Sequence, residues 1–343
     1  MVTIYDLSKI TGFSPPTVSK ALNGTGTISD KTRKLIINAA EEKGYTPNIT
    51  ARTLRTQKSR LIGILDANQN RRYDFISPFL STVLGSFRET IETEGYDLIL
   101  LTSLAEMNKM ENSFISNYRN IDGILVMSVG GREKEFKCVC EYNKPCVSIN
   151  DNIPNIGIVV TNNRQGARIA VEYLINLGHR EIAYIAGPIS NISIAARERR
   201  QGYHDVLIKN GIRIDPNLEA GSDTWHARGG YKACAELFRR KAKFTALFTA
   251  NNHMGFGALR YMAESGIKVP KDISVIGFDD GDGLEEYISP SLSTMKQDSE
   301  KIGKIAAEML LRKLQGLTTE KIIHIPAELA QRESTAKAPR RSS

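Results

Sequence analysis

Cysteine is scarce in this 343-residue chain: Cys138, Cys140, Cys146 and Cys234 are all there is. They form no pair of CxxC motifs and have no nearby histidine, so a zinc site is not expected and the four read as small buried or free thiols. Long apolar runs are missing too. Nothing approaches the length that crosses a bilayer, no secretory leader precedes the first helical pattern at residue 3, and the expected location is the cytoplasm. The chain also lacks GxSxG, GxxxxGK[ST] and HExxH, so nothing points to catalysis or to a cofactor.

Most of the chain lacks a charge excess as well. The net charge is +8, yet residues 1–60 alone hold ten Lys/Arg against four acids. Lys337, Arg340 and Arg341 at the other end leave the body near neutral. A basic head on a neutral body suits attraction to a polyanion.

The pattern inside that head is specific. Ile4, Leu7 and Ile10 recur at helical spacing, and Gly12 stands where the chain turns. Ser14 is placed to cap a second helix whose first turn holds Pro15 and Pro16, where a missing N–H costs nothing. Val18 and Leu22 would face inward, leaving Thr17, Ser19, Lys20 and Asn23 outside for phosphate oxygens and base edges. A third helix is predicted from the Ser29 cap through Leu35, Ile36 and Ala40 to Gly44. Two short helices joined by so tight a turn read as a helix-turn-helix that meets double-stranded DNA.

From Leu61 the rhythm changes. Strand-length runs at 61–65, 98–101, 123–127, 146–149 and 158–160 alternate with helical stretches near 79–94 and 106–119. The alternation restarts with a helix at 164–177, strands at 182–185, 246–249 and 273–277, and helices near 195–210, 227–241 and 254–266. Two doubly wound parallel α/β sheets are predicted, since about 275 residues exceed what one core normally spans. Ligands of such sheets lie beyond the carboxyl ends of the strands, where Asn68, Asn150, Asn251, Asn252, Asp279 and Asp280 fall. Planar amides and carboxylates suit a hydroxyl-rich solute. Trp225 is a candidate for stacking on a sugar face, with a core or rim position equally open; His253 reads more readily as structural than as a ligand contact.

The segments Thr3-Ile-Tyr-Asp-Leu, Thr17-Val-Ser-Lys, Ser29-Asp-Lys-Thr-Arg and Gly44-Tyr-Thr-Pro-Asn-Ile-Thr-Ala-Arg-Thr-Leu follow one another in the order of a known pattern. In these, and in a likeness extending to about residue 334, the chain resembles the lactose/galactose repressor family of bacterial transcription regulators. The resemblance implies an all-α helix-turn-helix headpiece (1–46), a hinge helix and linker (47–60), and a two-subdomain, periplasmic-binding-protein-like core (61–334) divided near 161 with further crossovers. A flexible tail (335–343) follows. It implies that the hinge folds on the operator and that Leu54 wedges a base step, with Ala51 permitting close approach. The expected DNA-contacting set is Thr3, Tyr5, Ser14, Pro15, Pro16, Thr17, Ser19, Lys20, Asn23, Ser29, Asn48, Ala51 and Leu54. The expected effector set is Asn68, Phe79, Asn150, Arg199, Trp225, Asn251, Asp279 and Gln297.

Three departures from the family pattern bear on specificity. Asn251-Asn252 replaces the usual Asn-Asp, which removes a carboxylate from the cleft edge. Pro15 and Pro16 replace residues able to hydrogen-bond bases, shifting that contact toward thymine methyls. Lys20 replaces a common arginine and lacks its fork. The expected molecule is a homodimeric regulator, most simply a repressor, that binds a pseudo-palindromic operator and a sugar-like effector. The tail has no leucine heptads to build a tetramer. A regulator set by a phosphorylated partner protein stays open as the alternative. A solute receptor would not carry the basic head, and an enzyme would need a nucleophile or base that is not found.

Overall fold

The computed structural model describes residues 2–45, 58–66, 78–101, 120–127, 144–188, 194–279 and 283–339. The chain divides into two compact units, residues 1–59 and 60–343. The predicted helix at 106–119, Cys138 and Cys140 lie outside the described residues.

Among the described residues the first unit holds three helices, α1 (Ile4–Thr11), α2 (Pro15–Leu22) and α3 (Asp30–Glu42). Each start is fixed by a side chain. Thr3 and Asp6 form a reciprocal capping box, Ser14 accepts from the Thr17 N–H, and Ser29 accepts from the Thr32 N–H. Gly12, at φ 74°, ends α1 in a left-handed conformation that a side chain would resist, and the turn is closed by the Ser8 hydroxyl donating to the Phe13 carbonyl at 2.6 Å. The core is small: Leu7, Val18, Ala21, Ile36 and Ala40 are buried, with Ile4, Phe13, Leu22, Ile28 and Tyr45 packed around them. Ile10 and Leu35, both counted in the apolar pattern, are instead about half exposed. The helices are too short to bury every apolar position on their inner stripe.

The second unit holds two six-stranded sheets. The first is built from β1 (Leu61–Asp66), β2 (Asp97–Leu100), β3 (Gly123–Met127), β4 (Cys146–Ile149) and β5 (Gly157–Thr161), and α4 (Pro78–Thr93) lies between β1 and β2 in sequence. The second takes β6 (Ile182–Ala186), β7 (Glu219–Gly221), β8 (Ala246–Thr249), β9 (Ser274–Phe278) and β10 (Ser293–Gln297). Its helices are α5 (Asn163–Asn176), α6 (Ile194–Lys209), α7 (Ala227–Arg239), α8 (Asn252–Glu264) and the short α9 (Leu284–Tyr287). The chain then returns through α10 (Ser299–Leu314) and β11 (Ile322–Ile325) to the first sheet and ends with β12 (Ala327–Ala330) in the second. Strand orders are β11-β5-β4-β3-β1-β2 and β12-β10-β9-β8-β6-β7. All neighbours are parallel except β10 and β12.

Strands β3 to β6, β8 and β9 are buried along their whole length, which is why they read as unbroken apolar runs. The chain passes between the sheets three times, after Thr161, after Gln297 and after Ile325. On the first sheet α10 packs against α4 so closely that a Cβ on Gly303 would stand 2.2 Å from the Val83 carbonyl oxygen.

The predicted loose tail does not hold for its first residues. Thr335 shares hydroxyl contacts with Tyr173 and Ser293, each at 2.9 Å, and the Ala338 N–H donates to the Leu177 carbonyl. His179, almost fully buried, has Nε2 3.1 Å from the Ala336 carbonyl oxygen and Nδ1 2.9 Å from the Thr245 hydroxyl. Composition made the segment look free; long-range hydrogen bonds hold it down.

Candidate functional site

In the head, the second helix begins with Pro15 and Pro16 at positions that need no N–H, so its N-terminus is open and capped only by Ser14. Thr3, Tyr5, Ser14, Pro16, Lys20, Asn23 and Ser29 are exposed, while Pro15 and Thr17 are half-buried. Tyr5 leaves 71% of its surface in solvent. Ser19 departs from the outward placement read from the pattern. It is 8% exposed, and the Asn23 amide covers it by donating to its carbonyl at 2.6 Å and its hydroxyl at 3.3 Å. Position 19 lies beside Val18 and two before Ala21 on the packed face, so a small polar residue is drawn inward. Asn48, Ala51 and Leu54 lie outside the described residues.

In the second unit, one buried cation organises the carboxyl end of the second sheet. Arg199 of α6 is 3% exposed. Its Nε donates to Asn163 Oδ1 at 2.8 Å, Nη1 to the Ala250 carbonyl at 2.6 Å, and Nη2 to Gln297 Oε1 at 3.4 Å. Nη1 also lies 3.3 Å from Asp279 Oδ1, and the guanidinium covers the Phe278 ring at 3.7 Å from its centroid. Burial pushes the Arg199 guanidinium below its usual range and the Asp279 carboxyl above its own, and the charge of each partly offsets the shift of the other. Asp279 keeps a quarter of its side chain exposed and adopts φ 85°, a strained conformation for a non-glycine residue. Gln297 is shared. Its amide donates to Asp279 Oδ1 while its oxygen accepts the Thr161 hydroxyl proton.

Trp225 completes this edge. Its ring sits against Gly187, where a Cβ would stand 2.5 Å from the indole, and lies 5.9 Å from the Arg199 guanidinium. Asn251 is turned inward to the framework: it caps α8 through Met254 N–H at 2.9 Å and donates to the Trp225 carbonyl at 2.9 Å. Asn252 bonds Asp279, Glu285 and Thr294 in the same way. The amide run expected to face a solute therefore fixes the ends of α8 and β9 in this state. His253 lies over Phe256 with ring centroids 5.8 Å apart.

On the first sheet, Asn150 follows β4 with φ 62°, and its side-chain oxygen is buried without a hydrogen-bond partner among the described residues, as is the Ser148 hydroxyl two residues earlier. Orphaned acceptors at a strand's carboxyl end suit the hydroxyl donors of a ligand. Phe79 packs on the core of the first sheet, and Asn68 and Asp280 lie outside the described residues. Ser148, Asn163, Ala250 and Thr161 did not emerge from sequence reasoning. Each is an ordinary strand or cap residue whose role exists only through contacts 36 or more residues away or through burial. Among the described residues no group of three His, Cys, Asp or Glu is placed to hold a metal, and no helix is long and apolar enough to cross a membrane. Burial pushes the Cys234 thiol up to about 12, so it stays protonated and unreactive.

Residues 3–48 match the pattern of bacterial regulatory proteins of the lacI family, and residues 171–335 match a periplasmic binding protein-like domain. The probable HTH-type transcriptional repressor ExuR of Bacillus subtilis (strain 168) is 34% identical over 320 residues, covering 91% of both chains. The chain belongs to the LacI family. The lactose operon repressor of Escherichia coli (strain K12) is 30% identical over 342 residues, 97% of this chain and 91% of that one. Among solved structures, the lac repressor dimer bound to operator and the anti-inducer ONPF superposes with a TM-score of 0.81 at 27% identity, covering 98% and 99% of the two chains. A CelR–cellobiose complex follows at TM-score 0.73 and 27% identity, covering 97% and 100%. This LacI-family protein is thus a DNA-binding transcriptional regulator with a periplasmic-binding-protein-like core, and its relatives are regulators rather than enzymes.

Proposed function

We propose that this regulator is a cytoplasmic, non-catalytic repressor that binds a pseudo-palindromic operator as a homodimer and is controlled by a sugar-like effector held at the carboxyl ends of its two sheets. The observation that carries the reading is the buried Arg199 web. It ties a partly exposed carboxylate, Asp279, through Gln297 to Thr161, the last residue of the first sheet before the chain crosses over. A hydroxyl-rich ligand bonded to Asp279 and laid on Trp225 competes for the hydrogen bonds that join the two sheets. Occupancy then favours one relative arrangement of the subdomains over the other, and operator affinity changes by the difference in ligand affinity for the two.

The operator set comprises Thr3, Tyr5, Ser14, Pro15, Pro16, Thr17, Lys20, Asn23 and Ser29 of the head, with Ser19 packed beneath Asn23, together with Asn48, Ala51 and Leu54. The effector set comprises Asn68, Phe79, Asn150, Arg199, Trp225, Asn251, Asp279 and Gln297. The lac repressor with ONPF and CelR with cellobiose support the class of ligand. A thermal-shift screen of the full chain against sugars, sugar acids, sugar phosphates and nucleobases tests the reading. A sugar-type hit that also changes DNA affinity supports it, and a flat panel counts against a small-molecule effector.

A further inference from the structure

The loop that follows α2 contains two glycines in the left-handed region, Gly24 at φ 68° and Gly26 at φ 74°. The end of the helix curls tightly there: the Gly24 N–H donates to the Ala21 carbonyl at 3.4 Å and the Thr25 N–H to the Lys20 carbonyl at 3.0 Å. That curl brings Gly26 alongside the Lys20 side chain. A Cβ on Gly26 would stand 3.1 Å from Lys20 Cδ, 3.6 Å from Cγ and 3.7 Å from Cε, so three carbons of the stem run over its bare Cα. Gly24 differs, since a Cβ there would meet only Arg33 Nη1, at an ordinary 3.4 Å.

Lys20 is exposed in the last turn of α2. A lysine ammonium is a point donor on a flexible stem, and left free it visits neighbouring phosphates as readily as a base edge. Seating the stem on Gly26 removes that freedom and directs the ammonium.

We infer that Gly26 is a positioning residue for DNA reading: its bare Cα seats the Lys20 stem, aims the ammonium at one base edge, and thereby sets base preference at one operator position. The inference rests on the reading of α2 as the recognition helix. A purine N7 or a guanine or thymine oxygen in the major groove is the matching acceptor. Any side chain at position 26 lifts the stem off its seat and returns Lys20 to a sequence-blind charge.

The test is selection from randomised duplex DNA with the full chain, comparing wild type, Lys20→Ala, Gly26→Ala and Gly26→Asn. Asparagine tolerates the left-handed region, so Gly26→Asn adds bulk with little backbone strain. Lys20→Ala identifies the position that Lys20 reads. Both Gly26 variants are expected to lose about tenfold of the preference at that same position. Other positions and the salt dependence of binding stay unchanged. Gly26→Ala, strained at φ 74°, lowers the unfolding temperature, and Gly26→Asn lowers it less, so a shared loss of preference at that one position does not follow stability. The Lys20→Ala, Gly26→Asn double variant should lose no more than Lys20→Ala alone. Unchanged preference in the Gly26 variants, or an equal loss at every position, overturns the inference and leaves α2 as the reader. Failure of the wild-type protein to enrich any sequence overturns the recognition-helix reading along with it.

Discussion

Thr161 donates its hydroxyl proton to the side-chain oxygen of Gln297, joining the final residue of β5 in one sheet to the final residue of β10 in the other. Both side chains are buried, and Gln297 is the residue that bonds Asp279. The bond places a cross-sheet polar link of this web one side chain away from the candidate ligand carboxylate.

Replacing Thr161 by Val keeps the shape and deletes the donor. The Gln297 oxygen still accepts from Arg199, so the stability cost is modest, about 1 kcal/mol. The effect of ligand on operator affinity should shrink several-fold while ligand binding itself is nearly kept. Paired ligand and DNA titrations read the two quantities separately.

Arg199 is the wrong place for an alanine test of function. Its removal strands Asp279 and the Ala250 carbonyl, and breaking a buried pair from one side costs about 3–5 kcal/mol. Arg199→Ala should therefore unfold at much lower denaturant concentration than wild type. Asp279→Asn keeps the shape and the oxygen that faces Arg199 but removes the counter-ion of that buried cation, so it too loses stability, though less than Arg199→Ala because no cavity is left. It leaves the head untouched and, assayed where it is folded, should abolish ligand response with basal DNA binding retained.

Gly202 lets α6 lie against α5: a Cβ there would stand 2.4 Å from the Arg164 carbonyl oxygen and 2.8 Å from Ala167 Cβ. Gly202→Ala should cost about 1–3 kcal/mol and move Arg199, one turn earlier, off Asn163. Chemical denaturation measures the first effect and loss of ligand affinity the second.

His179 is buried, and burial holds its imidazole below the usual value near 6.5. The unfolded chain binds that proton more readily, so this contribution to stability is full above the unfolded pKa and is lost as pH falls below it. The unfolding free energy of the second unit should decline between pH 7 and pH 5, with a shallower decline in His179→Asn.

Trp225 is the only tryptophan in the chain and sits at the candidate site, so its emission reports occupancy directly. A ligand found by thermal shift should change that emission, and Trp225→Phe should abolish the signal and weaken binding about tenfold if the indole stacks on the ligand.

Much of this was legible in the sequence because local signals agreed with the global fold. Caps and prolines fixed α1 to α3, and buried parallel strands announced themselves as apolar runs. What stayed hidden has physical reasons. Strands β10 to β12 are short, carry exposed residues such as Lys296 and Glu328, and gain their identity from pairing with distant partners. The burial of Ser19 depends on an amide folding back from Asn23, and Asn251 looked like a ligand group because a helix cap and a sugar contact use the same amide. Arg199 was singled out by family resemblance; its partners Asn163, Ala250, Asp279 and Gln297 come from four separate stretches of chain that no local window spans.

The central claim is that a ligand at the Arg199–Asp279 edge controls DNA affinity. The direct measurement is titration of a selected duplex with the full-length protein, with and without a saturating ligand that perturbs Trp225 emission, in wild type and Asp279→Asn. The account predicts a change in affinity of about 5- to 150-fold in wild type and none in the variant. Equal affinity with and without ligand in wild type, or an undiminished response in Asp279→Asn, would contradict it.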